Sequence, residues 1–220
     1  IRTYQYTYQY MLKSFYKENT IEAGIDEAGR GSLIGRVYTA VVIWNPDIIE
    51  PKGFELRDSK KISKKKRKKI RDYIIENALA YAVDYAEPNE IDDINILKAT
   101  ISSMQRAVNK LKMKPELLLV DGNRFEAFPY IDDNKKISYI EYITITKGDD
   151  KYKSIAAASI LAKVYHDEHI EELVKNNPKL EQYDLLNNMG YGTKKHMKAL
   201  IDNGSTKFHR MSFKPCYLNR

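Results

Sequence analysis

A chain of 220 residues, 43% of them hydrophobic, suffices for one substantial core and fits a single domain with an appended helical piece. Its 37 Lys and Arg outnumber 30 Asp and Glu, and the resulting net charge of +7 favours an acidic partner without naming one. The lone cysteine, Cys216, excludes an internal disulfide and a Cys-rich zinc site, no apolar run approaches the ~20 residues of a membrane span, and the amino terminus is not a secretory signal. The chain therefore reads as soluble, with a reducing, cytoplasmic setting expected.

Residues 1–20 form a Tyr- and Gln-rich extension in which Met11, Leu12 and Phe15 are spaced for a short amphipathic helix. Residues 21–25 and 37–44 read as strands joined by a Gly-rich turn, a hairpin. Ser63 can cap a helix whose apolar positions Ile70, Ile74 and Ile75 appear only after two charged turns. A third strand is expected over 79–85. Residues 95–111 form a strong helix with Ile96, Ala99, Ile101, Met104, Ala107, Val108 and Leu111 as its buried stripe.

Pro115 ends that connection, and the all-apolar run 117–120 predicts a strand covered on both faces. The alternating, β-branched stretch 137–146 predicts a fifth strand. A long helix over 153–175 follows, then a loop over 176–190 and a last helix over 193–203 closed by Gly204. Strands clustered early and then interleaved with helices give an α/β layered domain over 21–175, with a helical carboxy-terminal extension over 176–220.

The chemistry gathers where those strands end. Residues 21–35, IEAGIDEAGRGSLIG, run from an apolar strand into adjacent carboxylates, Asp26 and Glu27, and then into Gly29-Arg30-Gly31. Asp121 closes the buried strand, and Asp149 lies just before the long helix, with Asp150 beside it and Asp167 nearby. Acids next to buried strands are costly unless a cation compensates them. Mg²⁺ takes oxygen ligands and keeps much of its water, so few protein acids suffice. Two such ions about 4 Å apart can activate water, stabilise a leaving oxyanion and neutralise a phosphate. Gly-Arg-Gly is a turn in its plainest reading, but glycines also let backbone amides approach a ribose 2′-hydroxyl.

Two further features invite a ligand reading. Residues 57–71 hold ten basic residues and one acid. Lys64, Lys65 and Lys66 fall in a first helical turn, where the dipole disfavours cations and an anion would relieve the conflict. His166 and His169 stand at i, i+3, yet no cysteine is near and the helix is rich in acids, so a surface helix is the better reading than zinc.

Five blocks then fall in one order: GIDEAGRG at 24–31, LRDSKKIS at 56–63, LLVDGNR at 118–124, KGDDKYKSIAAASILAKV at 147–164 and GYGTKKH at 190–196. In this series the chain resembles type 2 ribonuclease H (ribonuclease HII). The resemblance implies a ribonuclease H-like fold, a mixed five-stranded sheet flanked by helices with a helical carboxy-terminal extension. Its four catalytic, metal-binding carboxylates fall on Asp26, Glu27, Asp121 and Asp149, with Mg²⁺ or Mn²⁺ as cofactor.

The family's substrate contacts carry over to Gly29, Arg30 and Gly31 at the 2′-hydroxyl, to Ser59 and Lys60 at the backbone, and to Tyr191 against the sugar of an RNA–DNA junction. Lys61, Lys163 and Thr193 are weaker candidates. Ser32 and Arg36 stand where the family usually has proline, and His166 where it usually has arginine. The activity implied is that of an endoribonuclease on RNA–DNA hybrids and on DNA with embedded ribonucleotides, as a monomer that leaves 3′-hydroxyl and 5′-phosphate ends. A non-catalytic module of the same fold would lack one of the carboxylates, and a two-metal DNA nuclease would not need the Gly-Arg-Gly unit or the tyrosine.

Overall fold

The computed structural model describes residues 12–48, 50, 51, 54, 56, 59, 62–127, 129–131 and 135–219. A five-stranded sheet in the order β3-β2-β1-β4-β7 forms its centre. Strands β1 (Glu22–Ala28), β2 (Val37–Ile43) and β3 (Ala80–Ala86) make an antiparallel meander, while β4 (Leu117–Asp121) and β7 (Glu141–Ile145) run parallel to β1. All seven residues of β2, VYTAVVI, are buried, as the β-branched run of a strand covered on both faces should be.

The two faces of the sheet separate by parity. Ala40 and Val42 pack beneath the long helix α4 (Lys153–Asn176) and helix α1 (Lys64–Asn77), with Ile70, Ile74, Ala157 and Leu161 between them. Ala23, Ile25, Val41 and Val120 face α3 (Ile96–Asn109), which supplies Met104, Ala107 and Val108. Asn95 caps α3 by accepting from the amides of Leu97 and Lys98 at 3.0 and 3.1 Å. Ser63 caps α1 through the Lys66 amide, as expected. At the crossing of β1 and α4, a Cβ on Gly24 would sit 2.2 Å from the Ser154 carbonyl carbon, so only glycine permits this approach.

Several expectations are corrected. The stretch 137–146 is not one strand. Ile137–Tyr139 (β6) leaves the main sheet and pairs with Pro129–Ile131 (β5), and only β7 continues alongside β4. Alternation marks an extended chain without naming its partner, and the pairing changes at Ile140. Met11 lies outside the described residues, and residues 12–20 are not helical. Instead Lys13 bridges Tyr152, donating to Lys151 O at 2.8 Å and accepting from Lys153 N at 3.0 Å. The buried Glu22 carboxylate accepts the amide of Tyr16 at 2.7 Å and that of Lys17.

Between α4 and α6 (Lys194–Asn203), the expected loop holds a 3-10 helix, Pro178–Tyr183, and a short helix α5 (Leu185–Asn188). Leu180, Tyr183 and Leu185 are buried there with Ile170 and Val174 of α4. The short helices α2 (Pro88–Ile94) and α7 (Lys214–Leu218) carry too little periodicity to be read in advance.

Candidate active site

The parallel register opposes Ile25 to Val120, so Asp26 and Asp121 emerge at the same level on neighbouring strand ends. Both lie on the α4 side. The Gly148 amide donates to Asp121 Oδ1 at 2.7 Å, tying the 3-10 turn Gly148–Asp150 to β4 and bringing Asp149 to the same place. Asp26, Glu27, Asp121 and Asp149 line one cavity of about 410 Å³. Asp150 is exposed and Asp167 is buried, and neither lines this cavity.

Asp26 is only 6% exposed. Burial holds its carboxyl well above the ordinary value of 3.8, the charges of Glu27 and Asp121 push it the same way, and bonds from Ser159 and the Glu27 amide oppose the rise. Glu27 meets Arg30 Nη1 at 3.2 Å. The wall offers carboxylates and hydroxyls and no thiol or imidazole, a donor set for hard divalent cations such as Mg²⁺ or Mn²⁺. A cation would also relieve the crowding of anions around Asp26. Among the described residues no cluster of three or more His, Cys, Asp or Glu side chains forms a preformed cage.

The rest of the wall includes Gly29, Arg30, Gly31, Ser59, Ser159, Lys163 and Tyr191. Gly29 has φ +90°, and a Cβ there would strike His166 Cδ2 at 2.3 Å, so the turn is pressed onto an imidazole that only glycine tolerates. His166 is therefore fully buried and not on a helix surface, a correction to the expectation from spacing. His169 likewise packs towards Gly35. His166 Nδ1 lies 3.3 Å from Asp167 Oδ1, and its ring lies 6.0 Å from that of Tyr191. Burial lowers its pKa, and the neighbouring Asp167 opposes that shift.

Asp167 is the hub beneath this wall. It accepts from Lys163 Nζ at 2.6 Å and from Arg67 Nη2 at 3.2 Å, while Arg67 Nη1 donates to the carbonyls of Ser59 and Ile62 at 2.9 and 2.6 Å. The Oγ atoms of Ser159 and Ser59 lie 3.1 Å apart. One carboxylate on α4 thus fixes a lysine of the wall and the segment carrying Ser59. No local pattern announces His166 or Ser159 at this wall, because Gly29 and Ser59, which they meet, lie far away in the chain.

The remaining expected contacts divide. Lys60 and Lys61 lie outside the described residues. Thr193 is exposed, does not line the cavity, and caps α6 by accepting from the His196 amide at 3.4 Å. In the basic run, Lys64 of the first turn and two cations further along the helix meet anions of the protein itself. Lys64 pairs with Glu171, Lys68 with Glu168 at 3.2 Å, and Arg71 with Glu168 at 3.2 Å. Arg36 pairs with Glu87 at 2.6 Å and stacks on Tyr85, 3.9 Å from the ring centre.

A family model described as ribonuclease HII matches residues 23–216. The chain is similar to the ribonuclease HII of Bacteroides fragilis (strain YCH46), with 48% identity over 206 residues, 92% of this chain and 94% of that one. With the ribonuclease HII of Pelagibacter ubique (strain HTCC1062) it shares 45% identity over 195 residues, 89% and 96% of the two chains. Among solved structures it is similar to ribonuclease H2 from Pyrococcus horikoshii OT3, with a TM-score of 0.72, 25% identity and coverage of 90% and 95%. For the fold alone it is similar to Bst-RNase HIII in complex with Mn²⁺, with a TM-score of 0.65, 20% identity and coverage of 89% and 68%. No helix among the described residues is long and apolar enough to cross a membrane.

Proposed function

The chain belongs to the ribonuclease HII family, and from that premise we propose that it is an endonuclease that hydrolyses the RNA strand of RNA–DNA hybrids and cuts on the 5′ side of ribonucleotides embedded in duplex DNA. The observation that carries this reading is the meeting of four acids, the Gly-Arg-Gly turn and Tyr191 around one cavity. The acids would hold one or two divalent ions, Mg²⁺ or Mn²⁺, which supply an activated water and neutralise the scissile phosphate.

The protein's own groups do the rest. Gly29, Arg30 and Gly31 offer a backbone that can approach a ribose 2′-hydroxyl. Lys163, held by Asp167 at the edge of the wall, can meet a phosphate, as can Ser59. Tyr191 offers a flat apolar face to a deoxyribose, a sugar that has no 2′-hydroxyl to bury there. Because the 2′-hydroxyl is recognised and is not the nucleophile, the ends left are a 3′-hydroxyl and a 5′-phosphate.

One gel with three duplexes tests the reading: an RNA–DNA hybrid, DNA with a single ribonucleotide, and all-DNA. The first two should be cut and the third spared, with activity lost in chelator and restored by Mg²⁺ or Mn²⁺. Asp121→Asn should abolish cutting while largely sparing hybrid binding. Tyr191→Ala should slow cutting at the single ribonucleotide more than on the hybrid. Full turnover in excess chelator rejects the metal mechanism, and an intact single-ribonucleotide duplex rejects the junction reading.

A further inference from the structure

Residues 29–36 are stitched into the carboxy-terminal extension from both sides. Ser32 bridges Tyr191, and the Leu33 amide donates to Gly190 O at 2.8 Å. Ile34 bridges His209, the Gly35 amide donates to Phe208 O at 2.9 Å, and the Arg210 amide donates to Leu33 O at 2.9 Å. The side chain of Arg210 carries this seam into the turn itself. Its Nε donates to Gly35 O at 2.9 Å and its Nη1 to Arg30 O at 3.1 Å.

Arg210 is fully buried, and its Nη2 has no partner among the described residues. Burying a guanidinium against two carbonyls is a costly way to fill space, and an apolar side chain of similar volume would fill it at lower cost. What an apolar side chain cannot do is orient a peptide. The peptide unit is planar and trans, so an Arg30 carbonyl held towards Arg210 sends the Gly31 N–H the opposite way. Gly31 lines the cavity, and a turn flanked by glycines would otherwise sample many orientations.

We propose that Arg210 is a positioning residue for ribose recognition, locking the Arg30–Gly31 peptide so that the turn presents one fixed hydrogen-bonding surface to the substrate sugar. The inference rests on the reading of that turn given above as the element that meets the 2′-hydroxyl. It adds a residue outside the cavity wall that acts entirely through main-chain atoms.

The test is a binding measurement with Mg²⁺ present in an Asp121→Asn background, where nothing is cut. Two duplexes differ only in one ribonucleotide, and the ratio of their Kd values is compared for Arg210, Arg210→Lys and Arg210→Met below each protein's melting transition. The ratio should fall by about tenfold in Arg210→Met, the worth of one well-placed hydrogen bond, while the salt dependence on all-DNA is unchanged. Arg210→Lys, which can reach one carbonyl but not both, should fall less. Equal weakening on both duplexes with the ratio intact overturns the proposal and leaves Arg210 a packing residue. If Arg210→Met does not fold, Arg210→Lys decides, a lowered ratio supporting the proposal and an unchanged one overturning it. A background protein that does not distinguish the duplexes overturns the reading of the turn itself, so the two failures are told apart.

Discussion

Asp26 carries the conflict on which the candidate site depends. Its folded carboxyl titrates above 3.8, so the folded state holds that proton more tightly than the unfolded chain does. The stabilisation is fully present below 3.8 and is lost as pH rises through the folded value, because the folded state must then bear a buried anion beside Glu27 and Asp121. Without metal at pH 7 to 8, Asp26→Asn should therefore melt above the wild type. A gain of order 1 kcal/mol corresponds to roughly 2–4 °C for a chain of this size. The gain should shrink as pH falls towards 3.8, and Mg²⁺ should raise the wild-type transition more than the mutant's. Thermal melts with and without chelator check this, and a mutant less stable than wild type at neutral pH contradicts it. Asp26, Glu27 and Asp121 were legible because each follows an apolar run. Asp149 needed its neighbouring motif, since Asp150 is adjacent and only the fold separates them. Arg210 and His166 were not legible, because what they touch is backbone brought from far away in sequence.

Among the elements, α4 and β1 together set the cavity, and Gly24 sets their distance. Gly24→Ala would force a methyl to within 2.2 Å of the Ser154 backbone, at the end of α4 that follows Asp149. Backbone cannot rotate away as a side chain can, so the helix must shift. A loss of about 1–3 kcal/mol is expected, with single-turnover cleavage falling more than hybrid binding. Denaturant melts and rates on one hybrid would measure both, and wild-type stability would show the crossing to be slack. The long elements declared themselves in the sequence: α3 by its stripe, β2 by its β-branched run, β4 by its unbroken apolar run, and α1 by its cap. The failures are of pairing and length. Extended residues 137–146 were recognised, but which half pairs with β4 depends on the β5–β6 hairpin. The segment 176–190 folds into short helices because Leu180, Tyr183 and Leu185 find α4, a contact that no local pattern announces.

For the molecule as a whole, a net charge of +7 is a poor guide until the charges are paired off. The densest basic segment looks from sequence like a phosphate-binding face. In the folded protein much of α1's charge is spent on α4, where Glu168, Glu171 and Asp167 meet Lys64, Lys68, Arg71 and Arg67. The exposed members of this set contribute little to stability, about 0–1 kcal/mol each. Their larger effect is to withdraw those cations from the substrate. A cation that touches phosphate releases counterions, and losing one such contact lowers the slope of log K against log salt by about 0.9 on B-form DNA. Replacing Lys64 and Lys68 together by Ala should therefore leave the slope for hybrid binding nearly unchanged. Replacing Lys163, which lines the cavity, should lower it by about one contact. Replacing Lys60 and Lys61 tests in the same titration whether the part of the basic run before α1 serves the substrate. A flattened slope in the Lys64 and Lys68 double variant would mean that the α1–α4 ion pairs open when nucleic acid arrives, and that the basic face belongs to the binding surface after all.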